Sequence, residues 1–214
     1  MLYYARSGMV ARESDYKATS RPATLFPVIL PVIEDISKLP GKEKVTLLSR
    51  VSREALKLSA VKSGVIVGEL YKDENDVPLP FSNHYWSVSH KPKYVAAVIS
   101  NERIGIDIEE IKPRSESLFG YVATGEEWEL SQEKSWDTLF RYWTAKEATL
   151  KAVGIGISGF KTCCIISVPD EGHIILDYQN RLFRVEQLHY KNHLVSVIKD
   201  NNKIEWIIPE DFRT

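Results

Sequence analysis

Two short sequence patterns occur twice in this chain, in the same order, and this repetition constrains the fold more than any other feature. The segment "REALKLSAV" at 53–61 is similar to "KEATLKAVG" at 146–154, and "YVAAVIS" at 94–100 is similar to "HLVSVIK" at 193–199. Nearly the same number of residues separates the two members of each pair. The first pair has the composition of a helix and the second that of a strand. The pattern predicts a duplication in which each half contains a helix and strands.

The elements around these segments predict an α+β protein. Residues 45–62 place apolar side chains at helical spacing, as in an amphipathic helix. Between 162 and 208, short apolar runs alternate with turn-like segments such as "PDEGH" and "YKN", which is typical of a β-meander. Helices combined with antiparallel strands give the α+β class. We expect two similar α+β halves, 1–103 and 104–214, packed against each other with the functional site at their interface.

The charge and composition argue against several classes of protein. The 28 basic and 29 acidic residues give a net charge of −1, so no general field draws the protein to nucleic acid or membrane. The longest apolar stretches, such as 25–33, are too short to span a bilayer and contain prolines. The N-terminus lacks the pattern of a secretory signal, and the adjacent Cys163 and Cys164 lack the spacing of a zinc site. We expect a cytoplasmic protein that binds neither nucleic acid nor membrane.

The segment "RIGIDIEEI" carries two carboxylates in an apolar run. Its alternation sends Asp107 and Glu109 to one face of a strand and the isoleucines to the other. One interpretation is an edge strand with one face in water. The other is a divalent cation held by both carboxylates, since magnesium is usually bound by carboxylates together with substrate phosphate oxygens.

The later segment "TLFRYWTAKEATLKAV" favours the cation. It places Trp143, Glu147 and Lys151 at successive i, i+4 positions, which is one stripe of a helix. A solvent-exposed ion pair is one alternative, and a capping box in "TAKE" with Thr144 as N-cap is another. The second is weakened because the amphipathic run already begins near Trp136 or Leu139, so Thr144 falls inside the helix. Three carboxylates need a cation and the nearby lysine needs an anion, and a metal-bound phosphate satisfies both.

The first half of the chain offers further partners for an anion. Arg50, Arg53 and Lys57 fall on one stripe of the helix predicted there. "WSVSH" ends a predicted strand with Ser89 and His90. A solvated basic face and a structural histidine are the alternatives. Together these groups could hold a second, distant phosphate.

The order of these motifs resembles that of the 4′-phosphopantetheinyl transferases. "PLP…HYWSVSH", "IGIDIEEI" and "WTAKEATLKA" occur in the sequence and at the spacing of that family, and the resemblance covers roughly 42–157. The closest type is the surfactin-synthetase-activating one, a single chain of two similar halves. Such enzymes move phosphopantetheine from coenzyme A to a serine of an apo acyl or peptidyl carrier protein, with magnesium, and release adenosine 3′,5′-bisphosphate. The first forty residues have no counterpart that we can place.

The resemblance implies roles for individual residues near the diphosphate. Asp107, Glu109 and Glu147 match the carboxylates that hold magnesium. Lys151 matches a lysine beside the diphosphate, where it stabilises or protonates the leaving phosphate. A glutamate between the two main motifs is the family's candidate base, and "TGEEWEL" offers Glu126 and Glu127. We favour Glu127 because an aromatic residue follows it.

The resemblance also implies which residues bind the rest of coenzyme A. The family's contacts to the 3′-phosphate are matched in this chain by Arg53, Ser89 and His90, with Lys42 or Lys44 as a further basic contact. Lys146 matches a coenzyme-binding position next to the metal glutamate. For the carrier protein, the segments 110–122 and 134–141 are candidate contacts. A monomer is expected, because the duplication supplies both sides of the cleft in one chain.

Two other functions remain open from the sequence. One is a different magnesium-dependent phosphoester-cleaving enzyme, such as a nuclease, although its glutamate–lysine element lies on a strand and a basic surface for DNA is missing here. The other is a non-catalytic protein that binds carrier proteins and has kept the fold. The intact set Asp107, Glu109, Glu147 and Lys151 argues against the second.

Overall fold

Two antiparallel sheets, each packed against one long helix, make up most of the molecule. The computed structural model describes residues 22–131 and 133–212. We call the three-stranded sheet with its helix the N-terminal lobe, and the five-stranded sheet with its helix the C-terminal lobe. The predicted α+β class is confirmed.

The N-terminal lobe has its strands in the order β2-β4-β3, with helix α1 across them. Its elements are β2 Val28–Pro31, α1 Gly41–Lys62, β3 Tyr85–His90 and β4 Tyr94–Ser100. Helix α1 buries one apolar face against the sheet, including Leu48, Val51 and Leu56. Burying side chains of this size stabilises the lobe by roughly 1.5–3 kcal/mol each. The predicted helix at 45–62 is confirmed.

The C-terminal lobe has its strands in the order β5-β9-β8-β7-β6, all antiparallel. Its elements are β5 Ile106–Glu110, α4 Trp136–Val153, β6 Cys164–Asp170, β7 His173–Tyr178, β8 Arg181–Tyr190 and β9 His193–Ile198. Strands β6 to β9 follow one another in space as in the chain, so the predicted meander is confirmed. Helix α4 packs mainly on β5 and β9.

Helix α4 begins at Trp136, well before Thr144, the first residue of the "TAKE" segment. Ser135 is its N-cap and accepts a hydrogen bond from the Thr138 backbone N–H. Thr144 lies inside the helix and hydrogen-bonds with Ser196, so the capping-box interpretation of "TAKE" is wrong. The helix ends at Gly154, whose φ of 82° is in the left-handed region that favours glycine.

Two short helices, α2 Ser117–Val122 and α3 Gly125–Trp128, connect β5 to α4. Short 3-10 helices occur at Ile36–Lys38, Gly156–Thr162 and Pro209–Phe212. In the described part of the chain, no helix combines the length and apolar character needed to cross a membrane.

The last described residues return to the N-terminal lobe. Strand β1, Thr24–Leu25, pairs in parallel with β10, Lys203–Ile204. The Ile29 N–H then donates to the Ile207 carbonyl at 2.9 Å, and the Ile207 N–H donates to the Pro27 carbonyl at 2.9 Å. The segment after β9 therefore completes hydrogen bonds at the edge of the N-terminal sheet.

The two lobes meet where β3 crosses β5. The Ile106 N–H donates to the Ser87 hydroxyl at 3.1 Å, so a side chain of one sheet satisfies the backbone of the other. The repeated segments fall on α1 and α4 and on β4 and β9. Whether the halves arose by duplication, and whether 1–103 and 104–214 are separate domains, stay predictions.

Candidate active site

Strand β5 carries two carboxylates that are both buried. Asp107 is 4% exposed and Glu109 is 5% exposed, so the interpretation of this strand as one with a wet face is wrong. The cause is the N-terminal lobe, because β3 packs against β5 and the Ser89 hydroxyl donates to Asp107 Oδ1 at 2.8 Å. A buried carboxylate is unfavourable unless a partner compensates it. The partners of these two acids therefore define the site.

Asp107 is held by a lysine from helix α4. Lys151 Nζ lies 2.7 Å from Asp107 Oδ1 and also donates to the Ile106 carbonyl at 3.1 Å. The other oxygen, Asp107 Oδ2, is buried and has no hydrogen-bond partner among the described residues. An acceptor of this kind is costly to leave unpaired, and it is directed at a place where a cation or a donor would stabilise it.

Glu109 is held by two cations that lie outside the main motifs. Lys91 Nζ lies 2.8 Å from Glu109 Oε1, and Arg114 Nη2 lies 3.2 Å from Glu109 Oε2. Burial raises the pKa of Glu109 despite the opposing effect of Lys91. The carboxylate therefore sits in a place where ionisation depends on nearby positive charge.

The predicted stripe of helix α4 faces this pair of acids. Trp143, Glu147 and Lys151 are half-buried, whereas the positions between them on the helix are buried. Burial raises the pKa of Glu147, and the negative charges of Asp107 and Glu109 raise it further, while Lys151 lowers it. The three predicted carboxylates therefore lie close enough to repel one another.

A glycine sets the distance between β5 and α4. A Cβ at Gly105 would lie 1.8 Å from the Ala148 carbonyl oxygen and 2.9 Å from the Ala152 nitrogen. Only a residue without a side chain lets the strand approach the helix backbone this closely. Gly105 thus brings the carboxylates of β5 within reach of Glu147 and Lys151.

These residues fit a divalent cation by their chemistry. Carboxylate oxygens are the ligands that magnesium prefers, and the orphaned Asp107 Oδ2 and the mutual repulsion at Glu147 both call for positive charge. Within residues 22–131 and 133–212, however, no three acidic, histidine or cysteine side chains are arranged to hold an ion. In this arrangement Lys151, Lys91 and Arg114 neutralise the acids instead.

His90 lies at the edge of the same site, beside three lysines. Desolvation of the ring lowers the pKa of His90, and the positive charges of Lys151, Lys91 and Lys72 lower it further. This shift favours the neutral imidazole at pH 7, and each of the three lysines is itself paired with a carboxylate. The adjacent Ser89 is directed at Asp107 rather than into this basic area.

Arg53 lies in a groove on the exposed face of α1. The groove is formed by α1 together with residues 67–71, and Lys57 lines it as well. The neighbouring Arg50 is already neutralised by Glu34 at 2.6 Å and Glu54 at 3.3 Å. Of the predicted basic stripe, Arg53 and Lys57 are therefore the better placed to bind an anion.

Glu127 and Lys146 contact each other in the structure, and their predicted roles as base and as coenzyme A contact stay predictions. Glu127 is 6% exposed and Lys146 is 2% exposed, and Lys146 Nζ lies 2.8 Å from Glu127 Oε1. Glu127 also caps α3, since its Oε2 accepts from the Thr124 N–H at 2.8 Å and its Oε1 from the Ile165 N–H at 2.8 Å. A base whose oxygens are already bonded, or a lysine buried in the core, cannot reach a ligand without rearrangement.

Comparison with known proteins agrees with this geometry. Residues 103–204 match the family model of the 4′-phosphopantetheinyl transferase superfamily, just under half of the chain. A Haemophilus influenzae protein that carries this enzyme name provisionally is 29% identical over 185 residues, covering 81% of this chain and 78% of the relative. A 4′-phosphopantetheinyl transferase of Nostoc sp. is 37% identical over 93 residues, covering 40% of this chain and 39% of the relative.

A third relative matches a shorter region more closely. The L-aminoadipate-semialdehyde dehydrogenase-phosphopantetheinyl transferase of Schizosaccharomyces pombe is 48% identical over 63 residues, covering 26% of this chain and 24% of the relative. The enzyme class is 4′-phosphopantetheinyl transferase. The region matched by the family model contains the carboxylates of β5, the α4 stripe and the meander.

Three residues at the site of this phosphopantetheinyl transferase were missed by sequence reasoning. They are Lys91, Arg114 and Gly105, and each becomes visible only when β3, β5 and α4 are placed together. A signal was present for the first two, because Lys91 directly follows the "SVSH" motif and Arg114 closely follows "IDIEE". Two cations that each follow a motif of the site are consistent with a shared site.

We expect Glu147→Gln to stabilise the metal-free transferase by about 1 kcal/mol at pH 7. The folded-state pKa of Glu147 lies above the ordinary value. At a pH above that pKa, the ionised carboxylate therefore destabilises the folded state, and this destabilisation disappears as the pH falls toward 4.5. Urea unfolding at pH 7 and pH 4 measures the difference, which should shrink at the lower pH. Glu74→Gln, at an exposed loop position, serves as the control, and a destabilised Glu147→Gln at pH 7 would contradict the expectation.

We expect Lys146→Met to destabilise the transferase by about 2 kcal/mol. The substitution leaves Glu127 buried without its cation, although two backbone N–H groups still donate to that carboxylate. Urea unfolding measures the loss. If the variant keeps wild-type stability and instead binds coenzyme A more weakly, the predicted ligand contact of Lys146 is correct and the structural role is not.

Proposed function

We propose that the protein transfers 4′-phosphopantetheine from coenzyme A to a serine of an apo carrier protein, with magnesium, and releases adenosine 3′,5′-bisphosphate. The enzyme names of the relatives support the reaction class. The observation that carries the proposal is the meeting of Asp107, Glu109, Glu147 and Lys151 at the contact between the lobes. There, one buried carboxylate oxygen has no hydrogen-bond partner within the described parts of the chain.

The proposed roles follow from charge and position. Asp107, Glu109 and Glu147 would hold the magnesium ion. The bound ion would supply Lewis-acid stabilisation of the negative charge on the diphosphate. Lys151, which donates to Asp107, is placed to bind a phosphate oxygen and to stabilise the negative charge of the leaving bisphosphate.

The 3′-phosphate of coenzyme A would bind on the N-terminal lobe. His90 supports this role, because three lysines influence its pKa and it follows Ser89, which contacts Asp107 of β5. Arg53 supports it by its position in the groove with residues 67–71. Ser89 is proposed to act on this side through its hydrogen bond to Asp107, which fixes β3 against β5.

Two glutamates are candidates for the base that deprotonates the carrier serine. The bonds of Glu127 to Lys146, Thr124 and Ile165 favour a structural role over the predicted one. The adjacent Glu126 is exposed and remains the better candidate for a base.

Several finer features complete the proposal. The protein would be of the single-chain, surfactin-synthetase-activating type, with two similar halves, and would act as a cytoplasmic monomer without nucleic acid. The acidic carrier would dock on the segments 110–122 and 134–141. The aromatic contacts of Phe119 with Trp128 and Trp136, and the Lys134 ammonium over Phe119, support an apolar and basic surface there.

The decisive experiment is incubation of the protein with an apo carrier protein, coenzyme A and magnesium, followed by mass spectrometry of the carrier. The expected result is a mass increase equal to one phosphopantetheine group, abolished by a chelator. An unchanged carrier mass with several carrier types would overturn the proposal. Parallel incubation with plasmid DNA and magnesium tests the nuclease alternative, for which we expect no cleavage.

A further inference from the structure

Two cations beside the site belong to none of the assigned motifs, and both contact the same carboxylate. Lys91 follows β3 and Arg114 follows β5, yet their side chains meet at Glu109, at 2.8 Å and 3.2 Å from its two oxygens. Both oxygens of Glu109 are therefore engaged by side-chain cations. Each oxygen keeps a second lone pair, but a divalent ion bound there would lie beside both cations and be repelled by them.

The charges at the site balance in the arrangement observed. Three acids, Asp107, Glu109 and Glu147, face three cations, Lys91, Arg114 and Lys151. A divalent cation would leave the site with two surplus positive charges. The diphosphate of coenzyme A carries charge of the opposite sign, so cation and diphosphate together would restore the balance.

The charge of Lys91 affects other residues besides Glu109. Its charge also lowers the pKa of His90 and opposes the rise in the pKa of Glu147. Lys91 therefore lies among the acids of β5, the α4 stripe and the histidine, where it can contact an anion held between them. Arg114 is partly exposed, and its guanidinium carbon lies 5.4 Å from the centroid of the Phe140 ring.

We propose that Lys91 and Arg114 are exchangeable counter-ions of Glu109, which occupy this carboxylate in the metal-free protein and bind the diphosphate of coenzyme A once a divalent cation takes it. This inference rests on the proposed function, since it uses the same cation and the same substrate. It assigns two residues beyond those of the motifs. It also predicts that loss of either cation strengthens binding of the divalent ion and weakens binding of coenzyme A. A pair of salt bridges with only a structural role would not produce these opposite effects.

The test measures binding of the two ligands to the full chain. Manganese(II), used as a spectroscopic probe for the cation, is titrated alone by electron paramagnetic resonance, and coenzyme A is titrated by calorimetry at saturating magnesium, where Glu109 is released by both cations. In Lys91→Gln and Arg114→Gln, manganese should bind about threefold to tenfold more tightly, because a competing charge is removed. Coenzyme A should bind about threefold to tenfold more weakly, because a phosphate contact is lost.

The matched control is Lys93→Gln. Lys93 lies two residues after Lys91 and pairs at 2.9 Å with Glu110, the neighbouring residue on β5, so this variant removes one charge without touching Glu109. It should leave both affinities within about twofold of wild type. Circular dichroism confirms that each variant is folded.

The outcomes separate this inference from the proposed function. The counter-ion role is overturned if manganese binding is unchanged or weaker in both variants, or if coenzyme A binding is unchanged. The transferase activity is tested separately, by carrier modification with the wild type. If the wild type binds no manganese with or without coenzyme A, both the metal ligands and the counter-ion role are overturned.

Discussion

Asp107→Asn should lower the rate of carrier modification at least about a thousandfold, which is roughly 4 kcal/mol of transition-state stabilisation. The asparagine keeps the size of the side chain and an oxygen that can accept from Ser89, but it removes the negative charge that Lys151 faces and that a cation would need. The fold should persist, because the change also removes repulsion with Glu147. Rates are measured by mass spectrometry of the carrier.

A neighbouring acid provides the control for this prediction. Glu110 lies on the same strand, pairs with Lys93 and Lys112, and its pKa falls to about 2 because of these two hydrogen bonds. Although Glu110 begins the proposed docking segment 110–122, Glu110→Gln should leave the rate at saturating carrier within a few-fold of wild type, with some loss of stability. If Asp107→Asn turns over at a near-normal rate with magnesium while remaining folded, the metal assignment fails.

Gly105→Ala should destabilise the protein by more than about 4 kcal/mol and abolish transfer. The new methyl group would lie 1.8 Å from the Ala148 carbonyl oxygen and 2.8 Å from its carbonyl carbon. These are backbone atoms of α4, so no side-chain rotation relieves the overlap and the helix must move away from β5. Urea unfolding and carrier modification measure the two effects.

Gly41→Ala is the matched substitution elsewhere in the chain. Nothing lies within 4 Å of a Cβ added at Gly41, which begins α1. Alanine there should be neutral or stabilise by up to about 1 kcal/mol, since it favours helix more than glycine. Wild-type stability of Gly105→Ala would show that β5 and α4 are not in the close contact described.

The local pattern of the site could be predicted from the sequence, because it depends on periodicity alone. Alternation in β5 placed Asp107 and Glu109 on one face, and helical spacing placed Glu147 and Lys151 on one stripe. The burial of the two β5 acids could not be predicted, since it depends on β3 from the other lobe. The contact of β3 with β5 decided between the two interpretations of β5, one with a face in water and one with that face buried.

Neighbours of the predicted residues show where sequence reasoning fails. Lys146 adjoins Glu147 in the chain, but one helical step of about 100° turns it from the site into the core. There its ammonium group pairs with Glu127, the cap of α3, so two residues with separately predicted roles contact each other. Their charges were visible in the sequence, whereas their mutual contact required the fold.

The pairing of β1 with β10, and of Ile29 with Ile207, makes completion of the N-terminal lobe depend on a segment that is synthesised after the C-terminal lobe. On the ribosome, the nascent N-terminal lobe can form α1 and its central strands early, but the edge of its sheet stays unfinished until residues 203–207 emerge from the exit tunnel. An unfinished edge is prone to pair with other chains. Slow translation of residues 203–207 should therefore lower the soluble yield more than equally slow translation within the meander.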